Sequence, residues 1–311
     1  MFLYILKRIL MTIPTLLVVI VLTFLLMHFA PGSPFNSERV LPPEVLAVLN
    51  HEYHLDKPLP WQLGHYILNL LHGDLGQSYK YLGQSVNGLI FPSNGQGGFW
   101  LSLVLGGWVL LLSVVLGISF GIIAALKRNS VIDRIVTAFS MASISVPTVV
   151  LAPLLVLVFA VLLGWLPAGG WGTGDIEHLL LPVVSLSLGI AAIIAQIMRS
   201  SLIEVMNSPF IKTAKAKGLP IRTIILRHAL KPAIIPVVSY LGPAAAAALT
   251  GTVIIETVFT LPGLGVLTVQ AAINRDYSLM LGLTVLYSAL LIAFNLLVDI
   301  IYAFLDPKIK Y

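Results

Sequence analysis

The 311-residue sequence predicts an all-α integral membrane protein: six transmembrane helices, with a long external loop between the first and the second. Three observations predict it. The chain is 58% hydrophobic and 10% charged, with a mean hydropathy of +0.98, whereas a soluble domain has about a quarter of its residues charged. The charges are clustered, and between them lie apolar runs long enough for a helix to cross about 30 Å of hydrocarbon, which takes roughly 20 residues. Finally, the basic residues collect on alternate connections, as the positive-inside rule requires.

The first span has its apolar core at residues 9–30. Lys7 and Arg8 in front of it imitate a secretory signal. The run is too long for a signal's hydrophobic region, and Pro31 stands where cleavage needs a small, flexible site, so a retained helix is expected. The external region, residues 31–98, reads as two short helices. "LPPEVLAVLNHEYHL" carries Pro in its first turn. "PWQLGHYILNLLHGDLG" places Leu63, Tyr66, Ile67, Leu70 and Leu71 on one face and stops at Gly73. Such faces either pack on the membrane domain or meet an external partner. His51 and His54 in "HEYH" lack the i, i+4 spacing of a metalloprotease helix. With His65 and His72 they read as surface histidines, and no metal site is expected.

Five spans follow in a core comprising residues 99–311. The second covers 99–126. The third follows Arg134 and runs to about residue 163, with a kink expected at Pro147. The fourth lies between His178 and Arg199, the fifth between Lys231 and Glu256, the sixth between Asp276 and Asp299. Placing both termini in the cytoplasm leaves only Arg39, Lys57, Lys80 and Arg275 of the 18 Lys and Arg residues outside. The net charge of +5 thus reports topology, and no nucleic-acid partner is expected. Cysteine is absent, which removes disulfide and thiolate chemistry.

The loop between the fourth and fifth spans (200–234) is the most basic stretch. "SPFIKTAKAKGLPIRTIILRHALKPAIIP" carries Lys212, Lys215, Lys217, Arg222, Arg227 and Lys231, with no acid between Glu204 and Glu256. Ser208 and Pro209 form a cap and first-turn pair, so a helix is expected to start there and end at Gly218 in a left-handed conformation. Lys215 and Lys217 complement its dipole. Pro220 opens a second helix, expected to end before Pro232 and to line Ile221, Ile224, Ile225 and His228 along one face. Topology accounts for the charge. It does not account for the small residues Thr213, Ala214 and Ala216 before a glycine in a sharply bent element, which suit the close approach of another protein.

Within the spans chemistry is sparse. Intramembrane acids mark ion-coupled carriers, but Glu256 and Asp299 sit near span ends, and Gln196 and Asn295 are neutral. A stand-alone secondary carrier or channel is therefore the rival class, and a membrane enzyme ranks last because no catalytic constellation or phosphate-binding loop is present. Pro147, Glu256 and Asn295 are the candidates for a gate or substrate path. For Glu256 the alternatives are pairing with an external Arg such as Arg275, or a capping role.

"KTAKAKGL", residues 212–219, resembles the cytoplasmic loop of ABC importer permeases, whose signature is Glu-Ala-Ala, three residues, then Gly. Lys212 and Thr213 replace the Glu and the first Ala, while Ala214 and Gly218 keep their places, as in the peptide-transporter branch. An ordered set of further motifs spans nearly the whole chain: "APGSPF", "YHLDKPL", "HGDLGQS", "GIIAALKRNSVID", "LGWLPAGGW", "RHALKP", "IIETVFTLPGLG", "NRDYS" and "DPKIKY". Together they resemble the B-type subunits of the binding-protein-dependent peptide and nickel permease family. "FPSNGQGG" before the second span is more glycine-rich than that family's usual pattern.

The resemblance implies a type I ABC importer transmembrane fold in the bacterial cytoplasmic (inner) membrane, moving oligopeptides by alternating access. It implies that Lys212, Thr213, Ala214, Lys215, Ala216, Lys217, Gly218 and Leu219 couple to an ATPase, with Ala214 and Gly218 at the closest contact. The partners it implies are a homologous second permease forming a heterodimer, two ABC ATPase subunits, a periplasmic or extracellular peptide-binding protein, the peptide and the lipid bilayer. ATP and Mg are expected on the ATPases and no cofactor in this chain. The external loop with the "LPAGGWG" and "LPGLG" turns is expected to dock the binding protein. Dipeptides, nickel or glutathione are the alternative substrates.

Overall fold

A chain crossing hydrocarbon must satisfy its backbone hydrogen bonds within each segment, which leaves helices as the economical solution. The computed structural model describes residues 2–29, 35, 42–93, 95, 97–172 and 175–305, with the backbone alone for 2–9, 247, 250, 251 and 302–305. The described residues are helical nearly throughout. In chain order the helices are α1 (Phe2–Phe29), α2 (Pro43–Glu52), α3 (Leu59–Leu71), α4 (Val86–Ile90), α5 (Gly98–Leu126), α6 (Val131–Ser145), α7 (Thr148–Leu155), α8 (Ile176–Met206), α9 (Pro209–Ala216), α10 (Ile221–Thr223), α11 (Leu230–Val258), α12 (Leu264–Asn274) and α13 (Tyr277–Leu305). Two π-helical turns, Val156–Leu162 and Ile224–Ala229, extend α7 and join α10 to α11.

Among the described residues, five stretches are long and apolar enough to cross a membrane alone: Leu10–Phe29, Gly98–Leu126, Ile176–Met206, Ile221–Ala246 and Tyr277–Ile301. The sixth expected span is a broken pair, α6 and α7 with its π turn, bent by 105°. This corrects the expected kink at Pro147. Proline pushes the residue before it out of the helical region, and here both Val146 (ψ 115°) and Pro147 (ψ 139°) are extended. Two consecutive non-helical residues break a helix outright.

A second correction concerns Pro232, which does not end the preceding helix. The helical backbone runs on through the π turn at Ile224–Ala229 into α11, whose first turn contains Pro232. The π turn shifts the buried face. Ile224 and Ala229, five apart, are buried, while Ile221 is 55% exposed and His228 also faces outward.

The chain forms two compact units that interleave in sequence. The first comprises Met1–Ile5, Leu103–Leu261 and Leu291–Tyr311, the second Leu6–Ser102 and Pro262–Leu290. In the first, α8 is the central helix and packs on α6, α7 and α11. Gly117 and Gly121, one turn apart on α5, let that helix lie directly on α8: a Cβ at either would come within 2.6 Å of Ile194 or Met198. Ser113 adds a buried hydrogen bond to the Ser187 carbonyl at 3.1 Å. The "LPAGGWG" turn is fixed to the end of α11, because Gly170 N–H donates to the Phe259 carbonyl at 2.7 Å.

The second unit surrounds a small core of Leu75, Val86, Ile90, Leu264, Ala271, Leu279 and Leu283. Leu70 packs against it, but Leu71, expected on the same face, is 77% exposed: α3 ends there and the chain turns away at Gly73 (φ +77°). Asp276 ties the unit together. It is 1% exposed and accepts from Ser78 Oγ, from the N–H groups of Tyr79 (3.1 Å) and Lys80 (3.3 Å), and from the N–H of Leu279 (3.2 Å) in the first turn of α13. The glycine-rich "FPSNGQGG" also acquires a reason. Gly98 (φ +49°) donates to the Pro262 carbonyl at 2.7 Å, and a Cβ on Gly97 would stand 2.8 Å from that same oxygen. Side chains cannot be accommodated where two backbones meet this closely.

Candidate functional site: a basic helix and an ion pair

The helix expected from "PFIKTAKAKG" is α9, and Pro209 occupies its first turn. Ser208 takes the cap position without capping: its hydroxyl donates back to the Val205 carbonyl at 2.6 Å. Lys217 and Gly218 N–H close the C-terminus on the carbonyls of Thr213 and Lys215 (3.0 and 2.9 Å), and Leu219 N–H reaches that of Ala214 (3.3 Å). Gly218 is left-handed at φ +76°, and a Cβ there would meet nothing within 4 Å. The need for glycine is therefore conformational, and a residue with a Cβ costs about 1–2 kcal/mol there.

Period 3.6 divides α9 into two faces. Ile211 and Ala214 point inward, 0% and 8% exposed. Lys212, Thr213, Lys215, Ala216, Lys217, Gly218 and Leu219 are exposed. Ala214 thus packs, with Ile211, on the helix's own unit. The outward surface is a short ridge of three lysines beside a bare glycine turn and the half-apolar Leu219, 37% exposed. Phe210, at 50% exposure, borders it.

Sequence reasoning missed an ion pair that braces the same unit. Arg199 on α8 makes a two-pronged ion pair with Asp133 at the start of α6, Nε to Oδ1 at 2.6 Å and Nη2 to Oδ2 at 2.8 Å. The Asp133 side chain is 5% exposed and that of Arg199 30%. Asp133 also accepts from the N–H of Asn129 at 2.9 Å, holding the turn in which Asn129 is left-handed at φ +67°. Ser130 Oγ accepts from Asp133 N–H at 3.3 Å as the cap of α6. A planar guanidinium matches a carboxylate in this fork geometry. The pair locks the loop before α6 to α8, two turns before α8 ends and α9 begins. A signal was present in "SVID", a Ser followed three residues later by an acid.

At the break between α6 and α7, the first unit has a cavity of about 490 Å³ between that corner, α8 and α11. Pro147 and Thr148 form its corner, Gly189 and Ile193 its α8 wall, Tyr240 and Ile254 its α11 wall. The lining is mainly apolar, with hydroxyls of Ser143, Thr148 and Tyr240 and, among the described residues, no charge. Of the three candidates for a path, only Pro147 reaches it. Glu256 is fully buried near the end of α11. Asn295 of α13 packs on α11, its Oδ1 lying 2.5 Å from where a Gly242 Cβ would stand.

The comparisons agree with this architecture. Residues 117–311 match the family model "Binding-protein-dependent transport system inner membrane component", and residues 1–91 its N-terminal counterpart. The chain is 52% identical over 99% of both chains to "Oligopeptide transport system permease protein OppB" of Haemophilus influenzae, and 52% identical to that of Salmonella typhimurium. It is 42% identical to "Dipeptide transport system permease protein DppB" of Bacillus subtilis, over 99% of this chain and 97% of that one. Among solved structures, an inward-facing MetNI methionine ABC transporter matches with a TM-score of 0.56 at 20% identity, over 67% of this chain and 94% of that chain, which shows an ABC importer transmembrane fold. The protein is a multi-pass inner-membrane permease, and the chain belongs to the binding-protein-dependent transport system inner membrane component family.

Proposed function

We propose that this chain is one of two homologous transmembrane subunits of an ATP-driven oligopeptide importer, with both termini and α9 in the cytoplasm. The observation that carries the reading is the outward face of α9: Lys212, Lys215 and Lys217 beside the glycine turn at Gly218, on a helix anchored by Ile211 and Ala214. That ridge docks on an ATPase subunit. Two such ATPases carry ATP and Mg, and this chain supplies the path and no catalysis. Full-length likeness to oligopeptide permeases supports the substrate class.

The mechanism follows from stiffness. Closure of the ATPases on ATP displaces α9, whose buried anchors and short connection through Gly218 and Pro220 to α10 and α11 pass that motion to the fifth span. The Asp133–Arg199 pair keeps α6 and α8 moving together. Alternating access then opens the mainly apolar cavity at the α6–α7 break first to a loaded external binding protein and then to the cytoplasm. Such a shift requires ATP and the loaded binding protein to have different affinities for the two states. An uncharged, mainly apolar wall suits peptides of varied side chains.

The chain has no cysteine, so single cysteines can be placed without background. Cysteines at Lys212 and Leu219 should crosslink to the ATPase subunit, whereas one at Ile211 should not. Crosslinking at Ile211 alone, or solute flux through this chain reconstituted without ATPases, would overturn the reading. A dipeptide substrate is the second reading, favoured by the 42% identical dipeptide permease; uptake of labelled peptides of graded length in complemented cells separates the two.

A further inference from the structure

The unit formed by Leu6–Ser102 and Pro262–Leu290 contains a cavity of about 230 Å³ for which the transport cycle above has no use. Its walls are aromatic. Tyr53, Trp61, Tyr66, Tyr79 and Tyr277 all line it. Their rings brace one another: Tyr53 meets Tyr79 edge-on at 4.9 Å between centroids, Tyr79 meets Tyr277 at 6.1 Å, and Trp61 stacks on His65 at 4.9 Å with an 11° tilt. His28 is braced between the Phe24 carbonyl (2.8 Å) and Gln62 Oε1 (3.0 Å), and Gln62 is itself oriented by its amide donating to the Lys57 carbonyl at 2.8 Å. These walls are built before any ligand arrives.

Charge selects the ligand. Glu52 and Asp74 line the cavity, and among the described residues no Lys or Arg does. Behind the wall, the Asp276 carboxylate accepts from the N–H groups of Tyr79 and Lys80, adding a third negative group. The phenols do not add to it. Burial pushes Tyr79 up to about 12 and raises Tyr66 as well, so both rings stay neutral and keep their electron-rich faces. The Tyr66 hydroxyl is sealed from solvent with no hydrogen-bond partner, leaving one polar group of the wall unmet. Among the described residues no three His, Cys, Asp or Glu side chains converge to hold a metal. The size is below the roughly 300–1,000 Å³ of pockets that enclose a whole ligand. It admits one head group and not a peptide chain.

We propose that this cavity binds a primary ammonium group, attracted by the faces of Trp61 and the tyrosines and by the carboxylates of Glu52 and Asp74. Aromatic faces with carboxylates nearby attract an alkylammonium and reject its neutral isostere. Two sources carry that chemistry: the free amino group of a peptide, or a lysine side chain on a protein docked at this face. Naming these two sources rests on the import function proposed above, but the recognition of an ammonium does not.

The test uses the full chain in lipid nanodiscs, with n-butylammonium as probe and 1-butanol as its neutral isostere. Binding is read by saturation-transfer NMR on the probe and by tryptophan fluorescence. Butylammonium should bind saturably and butanol should not. Glu52→Gln and Asp74→Asn should each weaken the apparent affinity roughly two- to fivefold, as should Trp61→Leu. Equal binding of butanol, no saturable binding, or affinities unchanged in all three variants would overturn the proposal. Competition by triglycine but not by N-acetyl-triglycine assigns the site to peptide amines. Competition by the purified binding protein that disappears on acetylating its lysines assigns it to a docked side chain. If neither competes, the site stands for small amines alone, and a failure of the import reading leaves the butylammonium result intact.

Discussion

Removing Arg199 tests the brace between α6 and α8. In Arg199→Met the Asp133 carboxylate keeps its backbone donor from Asn129 but loses both guanidinium bonds while remaining 5% exposed. Deleting one partner of a fully buried pair costs about 3–5 kcal/mol. Arg199 is 30% exposed, so water compensates part of this and about 2–3 kcal/mol is expected. That corresponds to a fall of roughly 3–5 °C in the unfolding midpoint of a 311-residue chain. The reverse variant, Asp133→Asn, should cost less, because the remaining arginine is the more exposed member and can rehydrate. The double variant should lie closer to wild type than the sum of the singles, because neither charge is then left uncompensated. The assay is thermal unfolding of the assembled transporter in nanodiscs, read alongside peptide-stimulated ATP hydrolysis. If Arg199→Met melts with wild type, or if the two single effects simply add, the pair does not brace this part of the unit.

Other outcomes follow from single positions. Gly218→Val should leave insertion intact and uncouple uptake, while Gly218→Asn, which tolerates the left-handed region, should retain most uptake; membrane level and labelled-peptide uptake are compared. Gly117→Leu should prevent accumulation of the folded chain, because even a Cβ comes within 2.6 Å of Ile194; membrane levels by immunoblot check it. Asp276→Ala should lower stability by about 2–3 kcal/mol by stranding buried donors, Tyr79 N–H and Ser78 Oγ among them, and limited proteolysis of the 72–85 segment reads it. Because burial raises Tyr79 from 10.0 to about 12, the unfolded phenol ionises first, and stability should fall between those pH values. Tyr79→Phe should remove that part of the alkaline loss, measured by thermal melts from pH 9 upward.

Much of this protein follows from patterns that repeat along the chain. The spans are legible because hydrocarbon tolerates so few charges, and the basic loop because topology collects Lys and Arg on one side. The start of α9 at Pro209 and its end at Gly218 follow from residues whose backbone preferences are strong and local. What sequence could not supply depends on the partner a residue meets. Whether Pro147 bends or breaks a helix was decided by Val146 and Pro147 both being extended, giving the 105° corner beside the cavity. Pro232 was read as a stop, but the helical backbone runs on through a π turn into α11. Only the packed unit shows that Ala214 and Ile211 form the inward face of α9. Asp133 and Arg199 stand 66 positions apart, and neither residue alone announces the pair. Local preferences act over one or two turns and are written in sequence order, whereas burial and pairing join residues far apart in the chain, and only the tertiary structure brings those together.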